Sequence, residues 1–284
     1  MGPRLNMPIH PDLLLAHKFP AVTQRYARRD AILYALGVGL GAEDAADLPF
    51  LLEDRLVVLP TFGVTLAALG MWIKAPEFGV DFAKLVHYEQ AAQFHASLPP
   101  EGEVVGQARI ASVRDRGEGK GALVVVEREI SDAHSKTLYC TLRQTLLLRA
   151  DGGFGGAPVA HQPTLIPDRA PDIVARFATD RRAALIYRLS GDLNPLHSDP
   201  EAAKRAGFAR PILHGLASYG AAGVAVSRAL GRSPAEVKQL DCRFSGVVFP
   251  GDELCFRIWR TEGGAVFQAY VGERKALDQG RIAL

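Results

Sequence analysis

The sequence lacks the features that would place it in a membrane, in the secretory pathway or on nucleic acid. No apolar stretch is as long as the about 18 residues that indicate a membrane-spanning helix. The N-terminus has no charged segment followed by a long apolar core of the kind that signals secretion. The 33 basic and 31 acidic residues form no dominant block and leave a net charge of +2. We therefore expect no membrane and no nucleic-acid partner.

Cysteine is also scarce. Cys140, Cys242 and Cys255 are widely spaced, and each lies in an apolar run typical of a strand. Their odd number and spacing disfavour a disulfide framework, and no CxxC pair is present to hold a metal. This usage favours a reducing compartment, and we expect the protein to be cytoplasmic.

The two halves of the chain resemble each other. With 284 residues, the chain has the length of about two domains. Tyr34-Ala-Leu-Gly-Val-Gly39 aligns with Tyr187-Arg-Leu-Ser-Gly-Asp192, and Pro60-Thr-Phe-Gly63 falls near Pro211-Ile-Leu-His-Gly215. The spacing between these segments is nearly equal in both halves, which indicates a duplicated domain. Our predicted boundaries are an N-terminal domain at 1–152, a Gly- and Pro-rich linker at 153–170 and a C-terminal domain at 171–284.

Each half contains an apolar helix candidate followed by runs that alternate with period 2. The predicted helices are Val64–Trp72 and Ala217–Leu230. The predicted strands are Val104–Val113, Ala122–Ile130, Thr137–Leu148, Leu254–Trp259, Ala265–Val271 and the C-terminal end. A long, small-residue helix wrapped by an antiparallel sheet is the hot-dog arrangement. We therefore predict an α+β fold with two hot-dog repeats in one chain, an intrachain double hot dog.

A cluster of polar residues in the second half carries the chemical signal. Asp192, Asn194 and His197 lie within six residues of one another, on a segment that Pro195 makes rigid. A carboxylate and an imidazole that hold one water molecule can remove one of its protons and deliver a proton to a neighbouring atom. Gly215 can turn its backbone N–H toward a carbonyl oxygen, as oxyanion stabilisation requires. The aligned positions of the first half carry glycines where the second half has Asp192 and Asn194, so only the second half keeps this chemistry.

Several of these residues also have simpler explanations. Asn194 either fixes the loop through an Asx-turn or orients the water, and Gly215 is either a turn residue or an oxyanion donor. His214 is better explained as structural than as catalytic. A metal site at His197 and His214 has no supporting ligand spacing, so we expect none. The Gly37–Ala42 string matches GxGxxA but lacks a preceding strand, which argues against a dinucleotide cofactor.

The segments Tyr187-Arg-Leu-Ser-Gly-Asp-Leu-Asn-Pro-Leu-His197 and Gly207-Phe-Ala-Arg-Pro-Ile-Leu-His-Gly215 resemble those of the MaoC-like (R)-specific 2-enoyl-CoA hydratases, of the double hot-dog hydratase 2 type. The resemblance implies reversible syn hydration of trans-2-enoyl-CoA to (3R)-3-hydroxyacyl-CoA, without a metal or redox cofactor. It also implies roles for individual residues. Those in the second half are Asp192, His197, Asn194 and Gly215 in catalysis, and Leu193, Pro195, Leu196 and Phe244 in substrate binding.

For the first half, the resemblance implies that His87, Tyr88 and Arg116 contact the CoA part, since arginine suits a phosphate. Tyr88 stands where the family commonly has glycine. Glu53 matches an acidic family position that supports the fold rather than the chemistry. A degenerate first domain would bind the acyl-CoA tail, and a homodimer is a further expectation.

Two alternatives remain open from the sequence: a hot-dog acyl-CoA thioesterase and a non-catalytic acyl-thioester-binding protein. The sequence leaves open the acyl chain length, the physiological direction, delivery by CoA or acyl carrier protein, and which of Asp192 and His197 is the base.

Overall fold

A computed structural model describes residues 9–41, 45–155 and 163–284 of the chain. Within these residues, all strand pairings in the sheet are antiparallel. The α-helices are α1 Pro11–Ala16, α2 Arg28–Gly37, α3 Ala183–Tyr187, α4 Pro200–Arg205 and α5 Gly215–Ala229. The strands are β1 Val22–Tyr26, β2 Leu85–Phe94, β3 Gly102–Asp115, β4 Ala122–Asp132, β5 Leu138–Leu148, β6 Ile173–Ala178, β7 Gln239–Phe244, β8 Glu253–Thr261, β9 Gly264–Val271 and β10 Arg274–Ala283.

The sheet contains the same strand order twice. Its ten described strands run β1-β3-β4-β5-β2-β7-β10-β9-β8-β6, so the second five repeat the first five in mirrored order. The two copies meet where β2 pairs with β7, from Glu89↔Arg243 to Gln93↔Gln239. The prediction of an α+β chain with two hot-dog repeats is confirmed.

The strands form where the sequence alternates. Along β3 and β8, less exposed residues alternate with more exposed ones over most of the strand, as expected when one face of a sheet packs on a core. The predicted runs in both halves lie within β3, β4, β5, β8, β9 and β10 apart from one residue at the start of β5. The edge strands β1 and β6 were not predicted as strands.

The central helix α5 fills the second repeat. It overlaps the predicted Ala217–Leu230 closely, and its residues 217–227 are all buried. Small residues are required because the helix lies against several elements at once. A methyl group added at Gly220 would lie 2.5 Å from Cγ1 of Val38 and 2.7 Å from Oη of Tyr34. The N-terminus of α5 is thereby held at one fixed place in the fold.

The predicted helix Val64–Trp72 is wrong. A 3₁₀ turn at Pro60–Thr65 takes the place of its start, and the chain then leaves the helical conformation at Ala67, whose φ is 47°. Side chains satisfy the backbone groups that a helix would have paired internally. The buried guanidinium of Arg128 donates to the carbonyl oxygens of Val64 at 2.8 Å and Ala67 at 3.3 Å, and the Ala67 N–H donates to Oε1 of Gln24. Within its described residues, the first repeat therefore has no helix as long as α5 of the second.

The described part of the predicted linker, residues 153–155 and 163–170, contains no helix or strand, and 156–162 lie outside the described residues. The string from Gly37 follows helix α2 rather than a strand, and its Ala42 lies outside the described residues. Among the described helices, none has both the length and the apolar character needed to cross a bilayer.

Candidate active site

The loop before α4 holds the predicted acid and base in a fixed shape. Gly191 allows the chain to turn because its φ of 113° lies in the region that favours glycine. The Asp192 carboxylate accepts the N–H of Asn194 at 3.1 Å, and the Asn194 side-chain oxygen accepts the N–H of Leu196 at 3.1 Å. Asn194 thus caps the 3₁₀ turn Pro195–His197. These two turns fix the loop, and the Asx-turn, one of the two roles left open for Asn194, is present.

The imidazole of His197 has one nitrogen hydrogen-bonded to the backbone and the other unprotonated. Its Nδ1 lies 2.8 Å from the carbonyl oxygen of Ile212. Since a carbonyl oxygen only accepts, Nδ1 carries the hydrogen and Nε2 carries the lone pair. Burial lowers the pKa of His197 below its ordinary value of 6.5, so the ring is neutral at pH 7. Nε2 is therefore available as a base.

Asp192, His197 and His214 come together in one cluster. One side-chain ligand atom from each of the three lies within 4.8 Å of the other two. His214 is 1% exposed and His197 9% exposed, whereas Asp192 is exposed to solvent. The two imidazole rings stack with centroids 3.8 Å apart and planes 26° apart. Nδ1 of His197 and Nε2 of His214 face carbonyl oxygens, which leaves one lone pair on each ring beside the Asp192 carboxylate.

Gly215 is the first residue of α5, next to this cluster. Among the described residues, the side chain of His214, the residue before it, makes no hydrogen bond to the helix end, so it leaves the first N–H groups of the helix uncapped. The positive end of the helix dipole adds to their attraction for an oxyanion. The ring of Phe244 packs on Gly215, since an added methyl group would lie 3.3 Å from its Cε1.

The first repeat contributes His87 to the same region. The His87 and Phe244 rings meet edge to face with centroids 4.9 Å apart. His87 Nε2 donates to the carbonyl oxygen of Glu89 at 3.1 Å, and its Nδ1 accepts from the amide of Gln144 at 3.3 Å. Burial lowers the pKa of His87 to about 4, partly offset by the hydrogen bond to the Glu89 carbonyl oxygen and then by the negative charge of Asp192. His87 is therefore neutral near pH 7 and lies close to the cluster.

Tyr88 and Arg116 also lie together, at the seam between the repeats. The guanidinium of Arg243 lies 4.7 Å from the centroid of the Tyr88 ring, and that of Arg116 lies 6.0 Å from it. Arg243 forms an ion pair with Glu89 at 2.7 Å across the paired strands β2 and β7. Arg116 is exposed in the turn between β3 and β4. Two arginines therefore flank one aromatic ring beside His87.

The other residues predicted to belong to the site lie in two places, the catalytic loop and a 3₁₀ turn of the first repeat. Leu193 is 60% exposed, Pro195 is also exposed and Leu196 is half-buried, all in the catalytic loop. Glu53 lies exposed in a 3₁₀ turn of the first repeat, and no described hydrogen bond or ion pair links it to the cluster. No contact in the described chain supports the structural role predicted for Glu53.

Sequence reasoning missed two groups of the site. Gln144, on β5, donates a hydrogen bond from its side-chain amide to Nδ1 of His87. Pairing of β2 with β5 could have suggested it, since the residues are neighbours only through that register. The carbonyl oxygen of Ile212, which sets the tautomer of His197, is a main-chain atom and leaves no signal in the sequence.

A groove of about 410 Å³ also crosses the β2–β7 seam. Its walls include Glu89, Arg143, Asp241 and Arg243. Asp241 and Arg243 lie on the face of β7 opposite the buried Leu240, which packs toward α5. None of the residues of the Asp192 cluster lines the groove, so it is separate from the candidate active site.

Comparison with known proteins matches both halves of the chain. Residues 163–279 match the MaoC like domain, and residues 24–150 match the MFE-2 hydratase 2 N-terminal domain. The chain is 41% identical to 3-hydroxyacyl-thioester dehydratase Y of Mycobacterium tuberculosis, over 97% of this chain and 98% of that protein. It is 38% identical to the peroxisomal enoyl-CoA hydratase 2 of Arabidopsis thaliana, over 93% of this chain and 91% of that protein.

A solved structure shows the same architecture. The crystal structure of a MaoC-like dehydratase from Phytophthora capsici superimposes with a TM-score of 0.81 at 32% identity, covering 96% of this chain and 97% of that one. With two domain matches and full-length relatives above 30% identity, the family resemblance inferred from the motifs is confirmed. The chain belongs to the MaoC-like dehydratase family, in the two-domain form that carries a hydratase 2 N-terminal domain.

Proposed function

We propose that this protein is an (R)-specific enoyl-CoA hydratase of acyl-CoA metabolism. It adds water reversibly to trans-2-enoyl-CoA and forms (3R)-3-hydroxyacyl-CoA. Relatives named enoyl-CoA hydratase 2 and 3-hydroxyacyl-thioester dehydratase support this reaction. The observation that carries the proposal is the approach of Asp192 and His197 within 4.8 Å, beside a helix N-terminus that the side chain of its N-cap residue, His214, does not cap.

In the proposed mechanism, one water molecule sits between the Asp192 carboxylate and Nε2 of His197. His197 takes one proton from this water, because its Nε2 is unprotonated at pH 7. The hydroxide bonds to C3 of the substrate, and the π electrons move to C2 and the thioester oxygen. The imidazolium then returns the proton to C2. Asp192 holds the second hydrogen of the water, and both additions occur on one face, which makes the hydration syn.

The N–H of Gly215 holds the thioester oxygen in this mechanism. Negative charge develops on that oxygen when C3 is attacked, and the helix N-terminus stabilises it. Phe244 packs on Gly215 and excludes water from the oxyanion. Asn194 acts by fixing the loop, since its side-chain oxygen is bonded to the N–H of Leu196. In this scheme the water molecule, the substrate and these protein groups carry out every step, and we propose no cofactor.

We assign substrate binding to both repeats. Residues 1–152 form the acyl- and CoA-binding domain, 153–170 the linker and 171–284 the catalytic domain. The acyl tail is assigned to the region beside His87, in the repeat that has a 3₁₀ turn at Pro60–Thr65 in place of a long helix. Tyr88 and Arg116 offer a ring and a cation for the nucleotide and phosphates of CoA. Leu193, Pro195 and Leu196 would contact the pantetheine arm at the exposed loop.

Crotonyl-CoA and a longer trans-2-enoyl-CoA test the reaction directly. We expect loss of the conjugated enoyl absorbance, a product with the 3R configuration by chiral analysis, and no release of free thiol. Release of CoA detected with a thiol reagent would instead indicate a thioesterase. Tight binding of acyl-CoA without turnover would leave only a binding protein, and either outcome would overturn the proposal.

A homodimer and a cytoplasmic location are further parts of this proposal. Light scattering after gel filtration would give twice the chain mass of 30.6 kDa for a dimer. Fractionation of cells that express the full protein would test the compartment, and the peroxisomal relative named above makes the peroxisome the alternative to compare.

A further inference from the structure

His214 lies immediately before Gly215 and makes a contact that a merely buried histidine would not need. Its Nε2 lies 3.1 Å from the carbonyl oxygen of Asp192. Because a carbonyl oxygen only accepts, Nε2 carries the hydrogen and Nδ1 carries the lone pair. That Nδ1 atom is buried and has no hydrogen-bond partner among the described residues. His214 is therefore held in one tautomer by Asp192.

His197 makes the mirror-image contact. Its Nδ1–H donates to the carbonyl oxygen of Ile212 at 2.8 Å, two residues before His214. Each of the two segments thus donates one imidazole N–H to the backbone of the other, and the two rings stack between them. We call this pair of hydrogen bonds, made by His197 and His214, the histidine clasp.

The clasp matters because Asp192 has few other anchors. Within the described chain, the hydrogen bond of its carboxylate stays in its own loop, to the N–H of Asn194. The main-chain bond from Ile212 N–H to the Leu196 carbonyl ties only the His197 end of the loop to the second segment. At the Asp192 end, the described hydrogen bond to that segment comes from His214. Loss of this bond would free the carboxylate to move relative to His197 and Gly215.

We propose that His214 is a positioning residue for the hydration reaction, which keeps the carboxylate of Asp192, Nε2 of His197 and the N–H of Gly215 in register through the histidine clasp. This inference rests on the proposed function of the site. His214 does not touch the reacting atoms in this scheme, and its effect passes through Asp192 and His197.

The surroundings of His214 keep its imidazole neutral. It faces the rings of His197 and Tyr187, the backbone of Asp192 and the charge of Arg188. Burial first, and then repulsion from a protonated His197, lower the pKa of His214 to about 4, and the negative charge of Asp192 opposes this shift. His214 is therefore neutral at pH 7, and protonation of its Nδ1 in acid would leave the Nε2–H that donates to Asp192 in place.

Two substitutions separate the hydrogen bond from the ring. His214→Phe keeps a flat ring on His197 but removes the donor, and His214→Gln keeps a donor but removes the ring. For His214→Phe we expect kcat on crotonyl-CoA to fall about 10²-fold while KM changes less than about 3-fold, since a misplacement of about 1 Å costs that much. His214→Gln should recover at least about 10-fold of this loss. His95→Phe, at an exposed histidine on the other repeat, is the matched control and should leave both parameters unchanged.

The pH profile distinguishes positioning from a general loss of stability. Release of the loop would hydrate His197, so the acid limb of kcat/KM in His214→Phe should move up toward pH 6.5, the ordinary imidazole value. A destabilised but correctly arranged protein would lose active molecules without moving this limb. Unchanged kcat in His214→Phe, or an unmoved acid limb, would overturn the proposal.

Nitrogen-15 NMR of histidine in the wild-type protein tests the clasp without any activity. We expect His214 as the Nε2–H tautomer and His197 as the Nδ1–H tautomer at pH 7, both neutral. The opposite tautomer at His214 would overturn the clasp, even if no variant folds. Correct tautomers in a protein that does not hydrate crotonyl-CoA would refute the proposed function while leaving the clasp geometry in place.

Discussion

Gly215→Ala adds a single methyl group at the proposed oxyanion site. The new carbon would lie 3.3, 3.4 and 3.5 Å from Cε1, Cδ1 and Cζ of the Phe244 ring. Ordinary carbon contacts lie at about 3.5–4.0 Å, so the ring must move by a few tenths of an ångström. Gly215 has a helical backbone, and alanine is preferred over glycine in a helix by up to about 1 kcal/mol. The substitution should therefore spare stability.

Activity should respond differently from stability. Both the donor N–H and the ring that covers it shift relative to Asp192 and His197. Misplacement of about 1 Å costs about 10²-fold, and loss of one oxyanion donor costs about 10²–10³-fold, so this smaller shift should lower kcat/KM about 10-fold. The assay is hydration of crotonyl-CoA at several concentrations, with the melting temperature measured on the same preparations.

Gly223→Ala is the matched control on the same helix. Its added methyl group would lie 3.3 Å from Leu240 and 3.3 Å from Thr61, an equally tight contact away from Asp192. We expect Gly223→Ala to keep kcat/KM within about 3-fold. Full activity in Gly215→Ala, or equal losses in the two variants, would refute an oxyanion role for this helix end.

Three other perturbations follow from the charges. In the folded protein His87 and His214 have pKa values near 4, below the ordinary 6.5, so the unfolded chain binds more protons than the folded one as the pH falls below 6.5. Urea titrations should therefore show the free energy of unfolding dropping by about 2 kcal/mol per histidine between pH 7 and pH 5. A urea midpoint that does not change with pH would contradict this. Arg243→Ala breaks a mostly buried ion pair with Glu89 and should lower the free energy of unfolding in urea by about 2–3 kcal/mol. Arg25→Ala, at an exposed pair, should lower it by under about 1 kcal/mol. Equal losses would contradict a stabilising role for the Arg243–Glu89 pair. Arg116→Ala should raise KM for crotonyl-CoA severalfold at constant kcat. It should leave KM unchanged for the N-acetylcysteamine thioester of crotonate, because that substrate lacks phosphates. A parallel rise of KM for both substrates would exclude a phosphate contact.

Much of the candidate site was predictable because it is local in sequence. Asp192, Asn194 and His197 lie in one loop, so their proximity follows from spacing alone. The contact of His87 with Phe244 was less accessible, because it depends on the pairing of β2 with β7 and on a register shift between His87 and Glu89. A long-range register is set by the whole sheet rather than by any short pattern.

In the fold, too, local features were predictable from the sequence and long-range contacts were not. Period-2 runs predicted most strands, and the small-residue stretch of α5 predicted its close packing. The helix expected over Val64–Trp72 failed because Arg128, distant in sequence, bonds the carbonyl oxygens of that segment. Apolar composition cannot distinguish a buried helix from a buried irregular segment whose backbone is satisfied by side chains.

The most direct test of the central claim is the rate of crotonyl-CoA hydration by Asp192→Asn and His197→Gln, each shown to be folded by its melting temperature. If the two side chains act on one water molecule, each variant should lose about 10²–10⁴-fold in kcat, and the double variant should lose little more than the worse single one. Wild-type rates in both variants would contradict the account.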